Sequence, residues 1–405
     1  MECVKLGDYC DITSSKRVFA NQYVEKGVPF YRSREIIEKK EMADISEPLF
    51  ISEELYETFR KKFGVPKEGD LLLTSVGTLG IPYIVKNERF YFKDGNLTWM
   101  KNFKKELSSK YLYYWLNSKF GKESLINCAI GSSQAALTIA ILKKYKIFLP
   151  ALRNQNQIVD ILSVYDNLIE NNNKRIKILE QMAENFYKEW FVRFRFPDYQ
   201  NTEFENGIPK GWKIKRIVDY GKIETGKTPS TMFESYYGAD IMFVKTPDMT
   251  GNIFTCQTSE YLSVEGHSQQ PTKLLPANSI MVSCIGSAGV VSINSEPAHT
   301  NQQINSIILH DTLHLEWLYF TCKSLKNTIE MFGSTGATMT NLSKGKFEKL
   351  KVVDPPSQII ELYHDKTASI FIKIKSLLYI NQNLIKQRDM LLPRLMSGKL
   401  EVRHG

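Results

Sequence analysis

The chain has 405 residues, and its 53 Lys and Arg against 44 Asp and Glu give a formal net charge of +9 at pH 7. That length exceeds one ordinary domain and suits two or three, while 42% hydrophobic and 24% charged residues exclude a disordered tail. The excess of cations favours a polyanionic partner.

In chain order, the opening ten residues have no basic flank leading into an apolar run, so no export signal is expected and a cytoplasmic location is. Short β-rich runs follow at 28–31, 71–75 and 81–85, separated by Gly- and Pro-rich turns, and 108–118 reads as a helix. The uncharged stretch 124–142 is nearly long enough to span a bilayer, but Asn127 and the break at Gly131-Ser132-Ser133-Gln134 argue against a membrane span. After Pro150, apolar or ring side chains recur at Ile158, Leu162, Tyr165, Ile169, Ile176, Leu179, Ala183, Phe186 and Trp190. They alternate by four and three, with Asn172 inside the series, which is a heptad seam of about five repeats and roughly 50 Å. It runs into an aromatic-basic cluster from Trp190 to Pro197, where the proline is expected to stop the helix. Further β-rich runs fall at 241–245, 280–283 and 290–293, and a helix at 315–325. A second, less regular seam follows: Tyr363, Ile370, Ile374, Leu377, Leu384 and Leu391, again interrupted by an asparagine, Asn381. The six cysteines are scattered without a Cys-x-x-Cys pair, which argues against a zinc ribbon or disulfide scaffold and fits reduced thiols.

The chain repeats itself. The segment from Gly69 to Gly80 returns as Asn278 to Gly289, both reading as a buried strand ending in a glycine turn. The helix around Trp115 has a counterpart around Trp317, the segment from Gly131 to Thr138 one at Gly333 to Thr340, and Phe148-Leu149-Pro150 one at Val353-Asp354-Pro355. The expected architecture is mixed α/β (α+β): two similar domains at 1–151 and 197–355, separated by long helices at 152–196 and 356–405. A helix stripe of this length is too long for a small domain to cover, and two stripes from one duplicated chain can zip together. They are expected to form an antiparallel intramolecular coiled coil through Leu162, Ile169, Asn172, Ile176, Leu179, Ile370, Leu377, Asn381, Leu384 and Leu391, with the asparagines as register locks.

Two like domains on a basic, twofold scaffold suit a polymer with a periodic face, and duplex DNA presents the same groove every ~34 Å. The framework strands match between copies whereas the loops diverge. Loop residues able to serve phosphates or base edges are Lys16, Arg17, Arg32, Arg34, Ser75 and Thr78 in the first copy, and Lys227, Thr228, Lys245, Thr246 and Ser287 in the second. Taken singly, each of them also reads as an ordinary solvated loop residue.

These features together resemble the specificity subunit of a type I restriction-modification enzyme. The resemblance is carried by Gly211-Trp212-Lys213-Ile214, by Ile223 to Ser230, by the two strand-glycine elements, by Phe186 to Phe194, and by the segment from Arg388 to Leu400, and it covers essentially the whole chain. It implies that each domain is a target recognition domain reading one half of a split sequence in double-stranded DNA. It implies that the paired helices set the gap and dock two modification (methyltransferase) subunits, to which restriction subunits can be added. It implies no cofactor on this chain: S-adenosylmethionine, and ATP with Mg for restriction, sit on partner subunits. The subunit would then be non-catalytic. One departure is the compressed Ser357-Gln358-Ile359-Ile360 where the first repeat has the longer Leu152 to Gln157, which leaves the second helix's start different.

Competing motifs are weak. Gly221 to Thr228 satisfies a phosphate-loop pattern, but Pro229 follows and no long apolar helix does. Asp354-Pro355-Pro356-Ser357 has Ser where an adenine methyltransferase needs an aromatic, so a self-contained methyltransferase is disfavoured. His310 and His314 share helical spacing without a third ligand, so no metal site is expected. The remaining alternative is a coiled-coil adaptor with two protein-binding end domains.

Overall fold

A computed structural model describes residues 2–42, 45–131, 135–333 and 341–400. Contacts divide the chain into two compact units: residues up to Asn171 with those from Gln382 onward, and Asn172–Asn381. Both boundaries fall inside long helices, so each unit holds one α/β domain and its own stretch of both helices.

The first domain contains β1 (Glu2–Lys5), β2 (Asp11–Thr13), β3 (Tyr23–Val24), β4 (Val28–Tyr31), β5 (Leu49–Ile51), β6 (Leu71–Thr74), β7 (Pro82–Ile84), β8 (Tyr91–Phe92), β9 (Leu97–Lys101) and β10 (Lys146–Leu149). Its helices are α1 (Ser33–Lys40), α2 (Glu53–Lys62), α3 (Ser109–Asn117), α4 (Lys119–Ile126) and α5 (Ile139–Lys144). Two four-stranded sheets form, in orders β2-β9-β6-β7 and β3-β5-β4-β8, and β1 closes antiparallel on β10 with Glu2 opposite Leu149. The run Leu71-Leu72-Leu73 is buried throughout because β6 is an inner strand with both faces covered. Ser108 caps α3 by accepting from the Tyr111 amide, and the helix buries Tyr111, Leu112, Tyr114, Trp115 and Leu116.

The long helix α6 (Leu152–Tyr187) follows, 36 residues or about 54 Å. It continues as a π turn over Lys188–Val192. Pro197 is not what stops it, contrary to expectation. The backbone has already turned left-handed at Phe194 (φ 55°), and the Arg195 amide closes on the Glu189 carbonyl at 2.7 Å.

The second domain contains β11 (Phe204–Glu205), β12 (Ile208–Pro209), β13 (Lys213–Arg216), β14 (Gly221–Thr225), β15 (Tyr237–Gly238), β16 (Ile241–Val244), β17 (Phe254–Thr255), β18 (Glu260–Leu262), β19 (Ile280–Ser283), β20 (Val291–Asn294), β21 (Ala298–Thr300), β22 (Ile304–Leu309) and β23 (Lys351–Asp354), with α7 (Val264–Ser268), α8 (Leu315–Ser324), α9 (Lys326–Gly333) and α10 (Lys344–Glu348). Its sheets repeat the first domain strand for strand. The order β14-β22-β19-β20 answers β2-β9-β6-β7, with β17 added parallel to β20, and β15-β18-β16-β21 answers β3-β5-β4-β8. Even the parallel pair recurs, β4 with β8 and β16 with β21. The duplication read from sequence is therefore a duplication of topology. Parts of one matched pair of segments, 132–134 and 334–340, lie outside the described residues.

The chain ends in α11 (Ser357–Met396), which runs on through Pro393. Within the second unit, Asn172 donates to Asn381 Oδ1 at 2.9 Å, Trp190 meets Tyr363 at 5.8 Å between ring centroids, and the Tyr363 hydroxyl donates to the Ala183 carbonyl at 3.4 Å. Within the first unit, Arg388 pairs with Asp166 at 2.7 Å, and Ile158 and Leu162 share a core with Leu392, Leu395 and Met396. Partner numbers fall in one helix as they rise in the other, so the helices run antiparallel in both units. Leu162, Ile169, Ile176, Ile370, Leu377 and both asparagines are buried, whereas Leu179, Leu384 and Leu391 are half-buried. Each fully buried Leu or Ile contributes roughly 1.5–3 kcal/mol. At the C-terminal end the burial passes to Leu392 and Leu395. Among the described residues no helix is long and apolar enough to cross a membrane.

Candidate nucleic-acid interface

In the first domain, β2 ends at Thr13 and the chain enters the loop holding Lys16 and Arg17. Its serines face inward. Ser14 Oγ donates to the Leu97 carbonyl and Ser15 Oγ to the Phe92 carbonyl, while the Lys16 amide donates to the Tyr91 hydroxyl at 2.8 Å. The pinned loop leaves the Lys16 and Arg17 side chains exposed, Arg17 being paired with Asp94 at 2.9 Å.

Arg32 and Arg34 frame the start of α1. Arg32 hydrogen-bonds the buried Glu35 carboxylate, and that bond raises its guanidinium pKa further above its ordinary value. Arg34 is half exposed and bridges Glu38 and Glu47. Ser75, on the rim of β6, is buried, with its hydroxyl 2.6 Å from Thr98 Oγ1. Thr78 is exposed on a turn that needs left-handed backbone at Gly77 and Gly80.

Three of these segments are gathered by residues 95–97, where the chain leaves β8 and enters β9, with Asn96 at the centre. Its carbonyl accepts from the Ser75 amide at 2.8 Å and from Ser33 Oγ at 3.3 Å, while the Ser14 hydroxyl accepts from the neighbouring Gly95 amide.

The second domain builds the same junction from different side chains. Gly226 brings the loop after β14 so close to β21 that a Cβ would sit 2.2 Å from the Asn301 carbonyl oxygen. Lys227 stays exposed while its amide donates to the Thr300 carbonyl at 2.9 Å, and Thr228 Oγ1 donates to Gln302 Oε1 at 2.6 Å. Lys245 pairs with Glu260. Thr246 is buried and points its hydroxyl at Gln303 Oε1, 3.4 Å away. The Cys284 amide, the equivalent of Ser75, donates to the Gln303 carbonyl at 2.7 Å. Ser287 is exposed on its glycine turn and its carbonyl accepts from Ser283 Oγ. Gln303 thus takes the place of Asn96.

Three of the expected contact residues need correcting. Ser75 and Thr246 are buried and internally bonded, so they are framework groups rather than accessible ones. Arg32 is largely committed to Glu35. In their place the junction offers the exposed Gln302, an amide whose paired donor and acceptor suit an adenine edge, while Asn301 and Gln303 are half-buried and hydrogen-bonded to each other. The signal was present in the polar run from His299 to Gln303, just before β22.

The competing motifs take ordinary structural roles. Gly221, the first residue of the phosphate-loop pattern, starts β14 and pairs with Leu309 in β22, so the segment is a strand and not an anion cradle. Asp354 ends β23 at a strand-to-helix joint, where it accepts from the Tyr220 hydroxyl at 2.7 Å and pairs with Lys215 at 2.9 Å. His314 packs on Tyr220 and Trp317. Among the described residues no group of three or more His, Cys, Asp or Glu is placed to hold a metal.

The family model of the type I restriction modification DNA specificity domain matches residues 1–181 and 209–387. The chain is 32% identical over 325 residues to the type I restriction enzyme HindI specificity subunit of Haemophilus influenzae, across 65% of this chain and 71% of that protein. It is 29% identical over 351 residues to the MjaIX specificity subunit of Methanocaldococcus jannaschii, across 83% of this chain and 78% of that one. The crystal structure of a type I restriction-modification S subunit from M. genitalium aligns over 97% of this chain and 95% of its own, with TM-score 0.60 at 15% identity, which is a likeness of fold.

Proposed function

Because the chain belongs to the type I restriction-modification DNA specificity family, we propose how its two domains and its helix pair divide the work of a sequence-specific, non-catalytic DNA-recognition subunit. Each domain reads one half of a bipartite target through the segments gathered at its junction residue, Asn96 in one and Gln303 in the other. Lys16, Arg17 and Lys227 anchor phosphates, and Thr228 with the exposed Gln302 amide reads base edges. The observation that carries this reading is the pair of junctions: the same strands meet at the same point in both copies, yet one copy presents Arg17 with Asp94 and the other Thr228 with Gln302. One framework with two side-chain sets suits two different half-sequences.

The helix pair serves as the docking surface for two modification subunits. Its support is the exposed apolar side chains that each unit carries on its own stretch of the helices: Val164 and Leu168 in the first, and Ile178, Met182 and Ile372 in the second. S-adenosylmethionine, and the ATP and Mg used by any restriction subunits, belong to those partners, and the assembly works in the cytoplasm, where the DNA is.

Methylation-sensitive sequencing of DNA from cells carrying this chain with its modification subunits tests the reading. A split methylated sequence is expected. In vitro, affinity for that duplex should fall steeply and log-linearly with salt. Salt-independent DNA binding, or absence of any methylated sequence, would favour the protein-binding adaptor instead, and S-adenosylmethionine binding by the isolated chain would favour a methyltransferase.

A further inference from the structure

Each domain presents a phenylalanine to solvent at the same place in its fold. Phe19 is 60% exposed and Phe233 is 53% exposed. Each follows the loop that leaves β2 or β14, an edge strand of one sheet, and each immediately precedes a single 3-10 turn, Ala20–Gln22 or Glu234–Tyr236. The turn leads in both cases into an edge strand of the domain's other sheet, β3 or β15.

The backbone at both positions is tied down by the same bond. The Gln22 amide donates to the Phe19 carbonyl at 2.9 Å, and the Tyr236 amide donates to the Phe233 carbonyl at 3.1 Å. Phe19 is held on its other side as well, because its amide donates to Gln22 Oε1 at 2.9 Å. The Phe233 ring leans on Tyr236, 5.1 Å between centroids. Anchoring of each loop to its core falls to other residues, the buried Val18 in one and the buried Pro229 in the other. Each ring is thus left more than half exposed on a fixed turn, with Phe233 resting on Tyr236.

Their neighbours indicate what covers them. Lys16 and Arg17 lie three and two residues before Phe19, and Lys227 lies in the same loop as Phe233. All three cations are exposed at the junction described above. Met232, beside Phe233, is 87% exposed and enlarges the apolar tip. A fixed aromatic ring next to phosphate-seeking cations matches the way DNA-binding proteins press apolar side chains against or between base pairs. Loop sequence has otherwise diverged between the copies, and the retained phenylalanine marks a task common to both halves of the target.

Resting on the DNA-recognition reading, we propose that Phe19 and Phe233 are base-contacting wedges, each pressing its ring against the stacked bases of the half-target read by its own domain. The ring is indifferent to sequence, so it positions the half-site and opens a base step, while the junction side chains choose the sequence.

The test uses the full chain assembled with its modification subunits and a duplex carrying the sequence found by methylation mapping, with 2-aminopurine placed in each half in turn. Wild-type binding should raise 2-aminopurine fluorescence at one step in each half. Phe19→Ala should lower affinity at least tenfold and abolish the rise only in the half read by the domain at 1–151. Phe233→Ala should do the same only in the other half. Phe19→Leu and Phe233→Leu should each restore most of the signal, because bulk and apolarity suffice for a wedge. The surviving signal in the untouched half reports that the variant is folded. Alanine variants with wild-type affinity and fluorescence in both halves would overturn the proposal. Failure of the wild type to bind the mapped duplex would instead remove the DNA reading on which it rests.

Discussion

The polar layer in the helix pair makes a sharp energetic prediction. Asn172 donates to Asn381 Oδ1 at 2.9 Å, and Asn381 donates to Asn173 Oδ1 at 2.7 Å, with Asn172 and Asn381 both buried. Replacing Asn172 with Leu leaves the Asn381 carbonyl oxygen buried without its donor, which costs about 1–3 kcal/mol. Replacing Asn381 with Leu removes the partner from the other side at a similar cost. Replacing both with Leu removes the Asn172–Asn381 bond with both its partners and takes a donor only from the half-buried Asn173, so the double variant should lie near the wild type in stability. The coupling between the sites should thus exceed about 1 kcal/mol, well outside the ~0.5 kcal/mol within which independent sites add. The double variant should also lose register specificity, since a buried asparagine pair in a seam favours one alignment. Local amide exchange around residues 172 and 381 measures the stability of this layer directly. Additive single-variant effects, or a double variant that is the least stable of the three, would refute the hydrogen-bonded layer and its role.

Other consequences follow from burial and close approach. Leu377 is 1% exposed, so Leu377→Asp places an unpaired charge in the seam and should cost several kcal/mol, read as lost helicity and failed assembly with modification subunits. Arg388→Met takes the guanidinium from Asp166 and leaves it the Tyr114 hydroxyl, 2.6 Å away. It should destabilise the first unit by about 1–3 kcal/mol, with Asp166→Asn largely rescuing it in thermal unfolding. Gly226→Ala would set a Cβ 2.2 Å from a backbone oxygen, so it should shift the loop and weaken reading of the second domain's half-target at least tenfold in methylation assays, sparing the first. Cys3 and Cys128 are exposed, while burial pushes the thiol of Cys10 up to about 12 and that of Cys284 up to about 11. A thiol-disulfide dye should therefore react quickly with two of the six cysteines in the folded protein.

The long seams were legible because a heptad repeat sustained over many turns arises from little besides a helix buried along one stripe, and the antiparallel pairing followed from duplication. Single positions inside them were not. Thr367 fills the gap between Tyr363 and Ile370 by turning its hydroxyl onto the Tyr363 carbonyl at 2.7 Å. Arg388 sits one heptad past Asn381, where Asp166 and Tyr114 complete a second polar layer around it. Nothing local in sequence announces such pairings, which depend on what the other helix brings opposite. The end of α6 was misplaced because Pro197 looked sufficient, whereas the helix had already unwound through a π turn and a left-handed Phe194.

The candidate interface was legible as loops but not as a junction. Lys16, Arg17 and Lys227 are exposed and Thr228 is half-buried with its hydroxyl on Gln302, while Ser75 and Thr246 spend their hydroxyls inside the domain. The Asn96 and Gln303 carbonyls accept from the Ser75 and Cys284 amides at the ends of the matched strands, and a carbonyl carries no signal in the identity of its residue.

One exchange tests the division of labour most directly. Residues 1–151 are replaced by the equivalent domain of a relative with a known different target, and the methylated sequence is mapped in cells containing the modification subunits. One half of the split sequence should change to the donor's, with the other half unaltered. A change in both halves, or in neither, would contradict the claim that two repeated domains read independently.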